Sequence, residues 1–203
     1  MRAAVRIGYV LVRHELRLLA SLTLWAARRT HGTGGGGRAF GYARGQGAVM
    51  FGFGFVCVVE TVMMALLLRD WPAVHLVVLV LDLYTILFVV ALHAACVVRP
   101  HVLDADAGVL RVRRAVHMDV RIPLERIGSV RRELRMSHER ADGELNVDVG
   151  SQTSLTLELT GPVAHVSFFG RRREVRVVRC HADDADGLVR AVTEARSALV
   201  RGV

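Results

Sequence analysis

The sequence predicts an α+β membrane protein in three parts: an N-terminal amphipathic helix, a two-helix transmembrane hairpin, and a C-terminal β-rich domain closed by one helix. Three observations carry this. Between residues 48 and 98, two apolar runs are separated only by Arg69-Asp70-Trp71-Pro72. From about residue 101, apolar side chains alternate with polar ones at the period of a strand. Near the C-terminus, Asp183-Asp184 precedes an apolar stripe at helical spacing.

The hairpin occupies 48–98, with helices predicted over 48–69 and 72–98. Its first run carries one charge, Glu60, and its second carries one, Asp82. Each run exceeds the roughly 20 residues needed to cross about 30 Å of hydrocarbon. Arg69 suits the headgroups, Trp71 the interface, and Pro72 the first turn of a helix. A buried hairpin of a soluble protein would need a core wrapped around two long apolar helices. The rest of the chain is too short and too polar to supply one.

Arginine sets the expected orientation. Residues 1–46 hold eight Arg and one acid, Glu15, whereas the interhelical turn holds one Arg beside one Asp. Arg99 follows the second run directly. The excess of cations on one side predicts a multi-pass protein of the inner (plasma) membrane, with both termini cytoplasmic and the turn outside.

The chain has 203 residues, which leaves room for one soluble domain, at 99–203, and an N-terminal appendage. All 27 basic residues are arginine. No surface requires that, so it is read as codon usage in a GC-rich genome, pointing to a high-GC bacterium. Net charge is +7 over 1–46, −2 over 47–98 and +3 over 99–203. Basicity concentrated beside the membrane favours anionic lipid as a partner and argues against nucleic acid, for which no motif is present. Cys57, Cys96 and Cys180 lack CxxC spacing and read as buried thiols.

Residues 1–30 are predicted as an interfacial helix. Arg2, Arg6, Arg13 and Arg17 fall on one side, and Leu11, Leu18, Leu22 and Trp25 on the other. Charges at Arg13, His14, Glu15 and Arg17 disfavour a third span. The helix therefore lies on the inner leaflet or packs on the soluble domain. Residues 31–47 form a Gly-rich basic connector. Gly34 to Gly37 lack the lysine and the preceding strand of a phosphate loop, so a flexible linker is expected.

In the C-terminal part, the alternating sets are Leu110/Val112, Met118/Val120/Ile122, Leu145/Val147/Val149, Leu155/Leu157/Leu159 and Val175/Val177. Turns are expected at Asp106-Ala107-Gly108, Ala141-Asp142-Gly143, Gly161-Pro162 and Gly170-Arg171. Asp183 or Asp184 caps a helix whose inner face holds Leu188, Val192, Ala195 and Leu199.

Arg99-Pro100-His101-Val102-Leu103, then Gly108 to Arg113, then Ile122-Pro123-Leu124 with Ile127 and Val130, resembles the bacterial PH-like domains tethered to membrane helices. Over 99–199 the chain is similar to uncharacterised actinobacterial two-span membrane proteins. The resemblance implies an antiparallel β-barrel or sandwich capped by one α-helix. It also implies membrane-associated scaffolding or regulation, without a defined ligand.

Few residues suggest chemistry. Glu60 lies ten residues before Asp70, and Asp82 eleven after Trp71, so both belong about 15 Å below the outer surface. His75 and His93 share the Asp82 stripe. The set reads either as a proton or cation relay, which needs an oligomer, or as neutral carboxyls bonding helices together. Gly52 and Gly54 suggest close helix approach. Arg111, Arg113 and Arg114 with Arg131, Arg132, Arg135 and the run Arg171-Arg172-Arg173 form either a solvated face offset by acids or a docking surface for anionic lipid. Ser137-His138-Glu139 is no triad, and His181 with Asp183, Asp184 and Asp186 is explained by helix capping rather than a metal.

The sequence thus predicts a non-enzymatic, cofactor-free scaffold or regulatory protein that binds a protein or anionic lipid at the inner leaflet. Expected contacts are Arg2, Arg6, Arg13, Arg17, Arg111, Arg113, Arg171 and Arg172, and a protein partner or second copy is implied. The alternative is an oligomeric proton-coupled or transport component built on Glu60 and Asp82.

Overall fold

The computed structural model describes residues 2–33, 36–136, 141–166 and 172–201, with side chains from residue 7 onward. It is an α+β protein with four described α-helices and two four-stranded sheets. Helix α1 spans Arg2–Ala26, strand β1 Arg38–Phe40, α2 Arg44–Leu67 and α3 Pro72–Val98. Strands β2 (His101–Asp104), β3 (Val109–Arg114), β4 (Met118–Pro123), β5 (Ile127–Arg135), β6 (Glu144–Val147), β7 (Thr153–Val166) and β8 (Arg172–Cys180) follow, and α4 closes the chain at Ala185–Arg201.

Both α2 and α3 are long and apolar enough to cross a membrane, and only 6% of each apolar window is buried within the chain. A core helix of a soluble protein would be mostly covered. Here Phe51, Leu67 and Leu76 instead face outward. Pro72 opens α3 at its first turn, where the missing N–H breaks no helical bond.

The first sheet has the order β1-β2-β3-β4 and the second β5-β7-β8-β6. No pairing among the described residues joins them into the closed barrel that the sequence suggested. One pair also departs from the expected antiparallel pattern: β6 runs parallel to β8. Gly150 and Ser151, both at positive φ, reverse the chain between β6 and β7. Strand β7 lies antiparallel to β8, so β6, placed on the far edge of β8, must run parallel to it.

Two further expectations change. Residues 38–40 of the Gly-rich segment are not a free linker, because they extend the sheet as β1, with Phe40 opposite His101. The turn expected at Gly161-Pro162 is a register shift inside β7, which continues to Val166. Proline cannot donate to a ladder, and a bulge is where a strand tolerates it.

Period-two alternation places Leu110 and Val112 of β3, Val120 and Ile122 of β4, and Leu155 and Leu157 of β7 in one core, which Leu188, Ala191 and Val192 of α4 cover. Ile122, Leu124 and Ile127, which carry the family resemblance, are each at most 1% exposed, so that motif is packing. Asp184 caps α4, its Oδ1 accepting the Gly187 N–H at 2.8 Å. A Cβ at 187 would come within 2.1 Å of that carboxylate, so a larger residue there would have to displace the capping side chain.

Candidate functional site

A second, smaller core sits where the hairpin meets the sheets. It contains Leu18 of α1, Tyr42 and Ala43 before α2, Ala91, Ala95 and Cys96 of α3, Ala115 of the β3–β4 turn, and Val149. Helix α1 therefore packs its Leu18 side against the end of α3. Ile7, Tyr9, Leu11, Val12 and Leu16 in its first half stay exposed, as does Arg13. Arg2 and Arg6 lie on the helical backbone of α1, outside the residues whose side chains are described.

Several polar groups of this junction find partners within the chain, although the Nδ1 of His181 does not. Tyr42, 1% exposed, accepts the Ala115 N–H on its hydroxyl at 2.8 Å. Burial pushes its phenol above the ordinary tyrosine range. The Tyr42 ring lies 4.8 Å from that of His101. His101 accepts the Arg113 N–H on Nδ1 at 3.0 Å, and its Nε2 lies 2.8 Å from the His181 carbonyl. That pattern requires the neutral Nε2–H tautomer. Burial holds its pKa down to about 4.

Asp183 then crosses from the C-terminal domain to the hairpin. Its Oδ1 accepts the Arg44 N–H at 3.1 Å, while its own N–H donates to the Gly41 carbonyl at 2.9 Å. Helix α2 has no capping side chain of its own, so a carboxylate 139 residues away supplies the cap. Of the two aspartates expected to cap α4, Asp184 does so and Asp183 serves α2.

The polar set within α2 and α3 is arranged differently. Glu60 is exposed on the outside of the hairpin, and no hydrogen bond joins it to Asp82. Asp82 is half-buried, and its Oδ2 is covered without a hydrogen-bond partner. The Nε2 of His75 and the Nδ1 of His93 are likewise covered and unpartnered. At 1.5 Å per residue, His75 and His93 lie about 10 and 16 Å along α3 from Asp82, too far apart for direct contact. His93 instead meets Trp25 edge-on at 6.2 Å. Among the described residues no three His, Cys, Asp or Glu groups converge on a metal-sized site. Cys57, Cys96 and Cys180 are free and buried, and burial pushes the Cys180 thiol up to about 12.

The domain arginines do not form one patch. Arg111 binds Asp119 through Nε and Nη2 at 3.3 and 2.5 Å. Arg131 pairs with Glu158, Arg132 with Asp186, and Arg135 lies 3.8 Å from Glu133, all from the second sheet. Arg172 is exposed at the start of β8. Arg171 and Ser137-His138-Glu139 lie outside the described residues. Arg113 turns inward and is 3% exposed. It lines a cavity of about 390 Å³ with Arg17 and Leu24 of α1, His31, Arg99 just beyond α3, and Asp119.

Sequence reading missed Tyr42, His101, Asp183 as a cap of α2, His31 and Arg99. Only Tyr42 gave a signal: with Phe40 it is one of two aromatics in a segment rich in glycine and arginine.

These features define an α+β protein whose two membrane-length helices are fastened to a two-sheet domain. Comparison with family models, curated proteins and solved structures finds no match for the chain.

Proposed function

We propose that the protein is a non-enzymatic membrane scaffold or regulatory protein, in which the hairpin holds a PH-like domain against the inner leaflet for contact with a protein or anionic lipid. The observation that carries this reading is the junction. Tyr42, His101 and Asp183 tie the first turn of α2 to the sheets and to the entry of α4, so the domain is held in one orientation at the membrane rather than left on a loose tether. The PH-like reading draws support from seven described strands after the hairpin, arranged with β1 in two sheets and followed by α4. The exposed apolar half of α1 and its arginine side suit a helix lying at the interface.

Orientation is tested with Arg69→Cys and Arg190→Cys, two exposed positions, one in the turn between α2 and α3 and one on α4. A membrane-impermeant maleimide should label Arg69→Cys in intact cells and Arg190→Cys only after permeabilisation. The reverse pattern overturns the reading.

A second reading is favoured by the unpartnered Asp82 Oδ2 and His75 Nε2. In an oligomer, these groups would line a proton-coupled path with Glu60. Glu60→Gln with Asp82→Asn separates the cases: proton flux lost with assembly intact supports the path, and no flux in the unaltered protein excludes it.

A further inference from the structure

We propose that the cavity formed by Arg17, Arg99, Arg113 and His31 is a site for one phosphate group, that of an anionic phospholipid headgroup entering from the inner leaflet. The proposal rests on the reading that α2 and α3 cross the membrane. On that reading Arg99, one residue past the end of α3, lies at headgroup level.

The charge balance points to an anion. Three guanidiniums, from Arg17, Arg99 and Arg113, line the cavity against one carboxylate, Asp119. That carboxylate is already engaged by the Nε and Nη2 of Arg111, and the Arg113 Nε reaches it only at 3.7 Å. His31 adds no cation, because burial and the neighbouring Arg99 and Arg113 hold its pKa below the ordinary value.

Donor geometry points the same way. Arg113 donates from Nη1 to the His31 carbonyl at 2.8 Å, which fixes the side chain in place. Its Nε makes no hydrogen bond but lies 3.7 Å from the Asp119 carboxylate, and the Nε of Arg99 is buried without a hydrogen-bond partner. Buried donors in a folded protein are normally satisfied, and these two arginines, which line this cavity, each keep an Nε–H without a hydrogen bond, so the arginine cluster is not fully matched by acceptors of its own chain. Burial and the nearby Arg17 also lower the pKa of Arg99. An anion between them would relieve that repulsion.

Size and chemistry select the class. A cavity of about 390 Å³ falls within the range of small-ligand sites. Guanidinium groups match phosphate through paired N–H donors, and basic pockets at the cytoplasmic ends of membrane helices suit lipid headgroups. Leu24, Val116 and Met118 give the site an apolar wall against which the glycerol end of a lipid can rest.

The test uses the full chain, purified in neutral detergent and titrated under native mass spectrometry with phosphatidylglycerol, phosphatidylcholine or inorganic phosphate. One phosphatidylglycerol per chain should bind, with phosphatidylcholine and inorganic phosphate weaker. Arg99→Gln and Arg17→Gln should each weaken it by about tenfold or more, the worth of one charge-assisted hydrogen bond. Arg29→Gln, an exposed arginine nearby, should leave it unchanged. If Arg99→Gln fails to fold, Arg17→Gln decides the matter. Equal binding of the two lipids, or equal loss in Arg29→Gln, overturns the site. Inorganic phosphate binding as tightly as phosphatidylglycerol overturns the lipid assignment. So does preferential recovery with a carboxylate-rich peptide instead of lipid. Resistance to carbonate extraction reports membrane insertion separately, so a carbonate-resistant protein without the lipid counts against the site alone.

Discussion

The junction and the hairpin interior both hold polar groups in largely apolar surroundings, yet they treat them in opposite ways. At the junction, the Tyr42 hydroxyl, both His101 nitrogens and the Asp183 carboxylate all have partners. Within the hairpin, Asp82 Oδ2, His75 Nε2 and His93 Nδ1 have none. A satisfied buried network fixes one arrangement, whereas an unsatisfied group is costly unless something outside the chain completes it. The junction is therefore held within one chain, whereas the hairpin stripe keeps the unfilled hydrogen-bonding capacity on which the second reading proposed above depends.

The largest expected effect that tests this contrast is a pH effect. His101 is held neutral, with a pKa of about 4 against 6.5 in the unfolded chain. The unfolded state then binds the proton more readily, so stability rises with pH from about 4 to 6.5 and is fully present above 6.5. Acidifying the full chain in detergent from pH 7.5 to 4 should remove about 3 kcal/mol through His101 alone. His117, also held down to about 4 by burial, acts in the same direction. In His101→Gln about half of the acid loss carried by these two histidines should vanish from the melting profile, with the His117 half remaining. An unchanged acid limb would show that His101 is not the buried neutral group described.

Next in size is Tyr42→Phe, which keeps the ring but leaves the buried Ala115 N–H without an acceptor. A loss of about 2 kcal/mol is expected in chemical denaturation, the cost of one orphaned buried donor. A change below about 0.5 kcal/mol would mean that water reaches the site and the junction is looser than described.

The smallest effect is expected at Asp82. Asp82→Leu removes a group with no partner in its own chain, so thermal stability of the detergent-solubilised monomer should hold or rise slightly. A clear loss, accompanied by dissociation on a sizing column, would place the missing partner on a second copy.

Much of the fold was legible because its signals are local. Two uninterrupted apolar runs mark α2 and α3, alternation marks Leu110/Val112 and Leu155/Leu157, and an aspartate before an apolar stripe marks α4. What escaped prediction depends on pairing across long separations. Strand β1 has three residues and no pattern of its own; it is a strand because Arg38 to Phe40 lie beside β2. Gly161-Pro162 reads as a turn by composition, yet β8 pairs on either side of the shift and carries β7 through it. The parallel placement of β6 follows from sheet order, which no short window encodes. The junction is the extreme case, since Asp183 and Arg44 meet across 139 positions. Glu60 and Asp82 were placed at matched depth by counting, but counting along two helices does not say which way each side chain faces.

The central claim is that the C-terminal domain is locked to the hairpin. It is tested most directly by the electron-spin distance distribution between labels at Arg69→Cys and Arg190→Cys in the full chain reconstituted in lipid. A single narrow distribution is predicted, broadening when Asp183→Ala removes the cap that joins the two parts. A broad distribution already present without that substitution would contradict the lock and make the domain a tethered body.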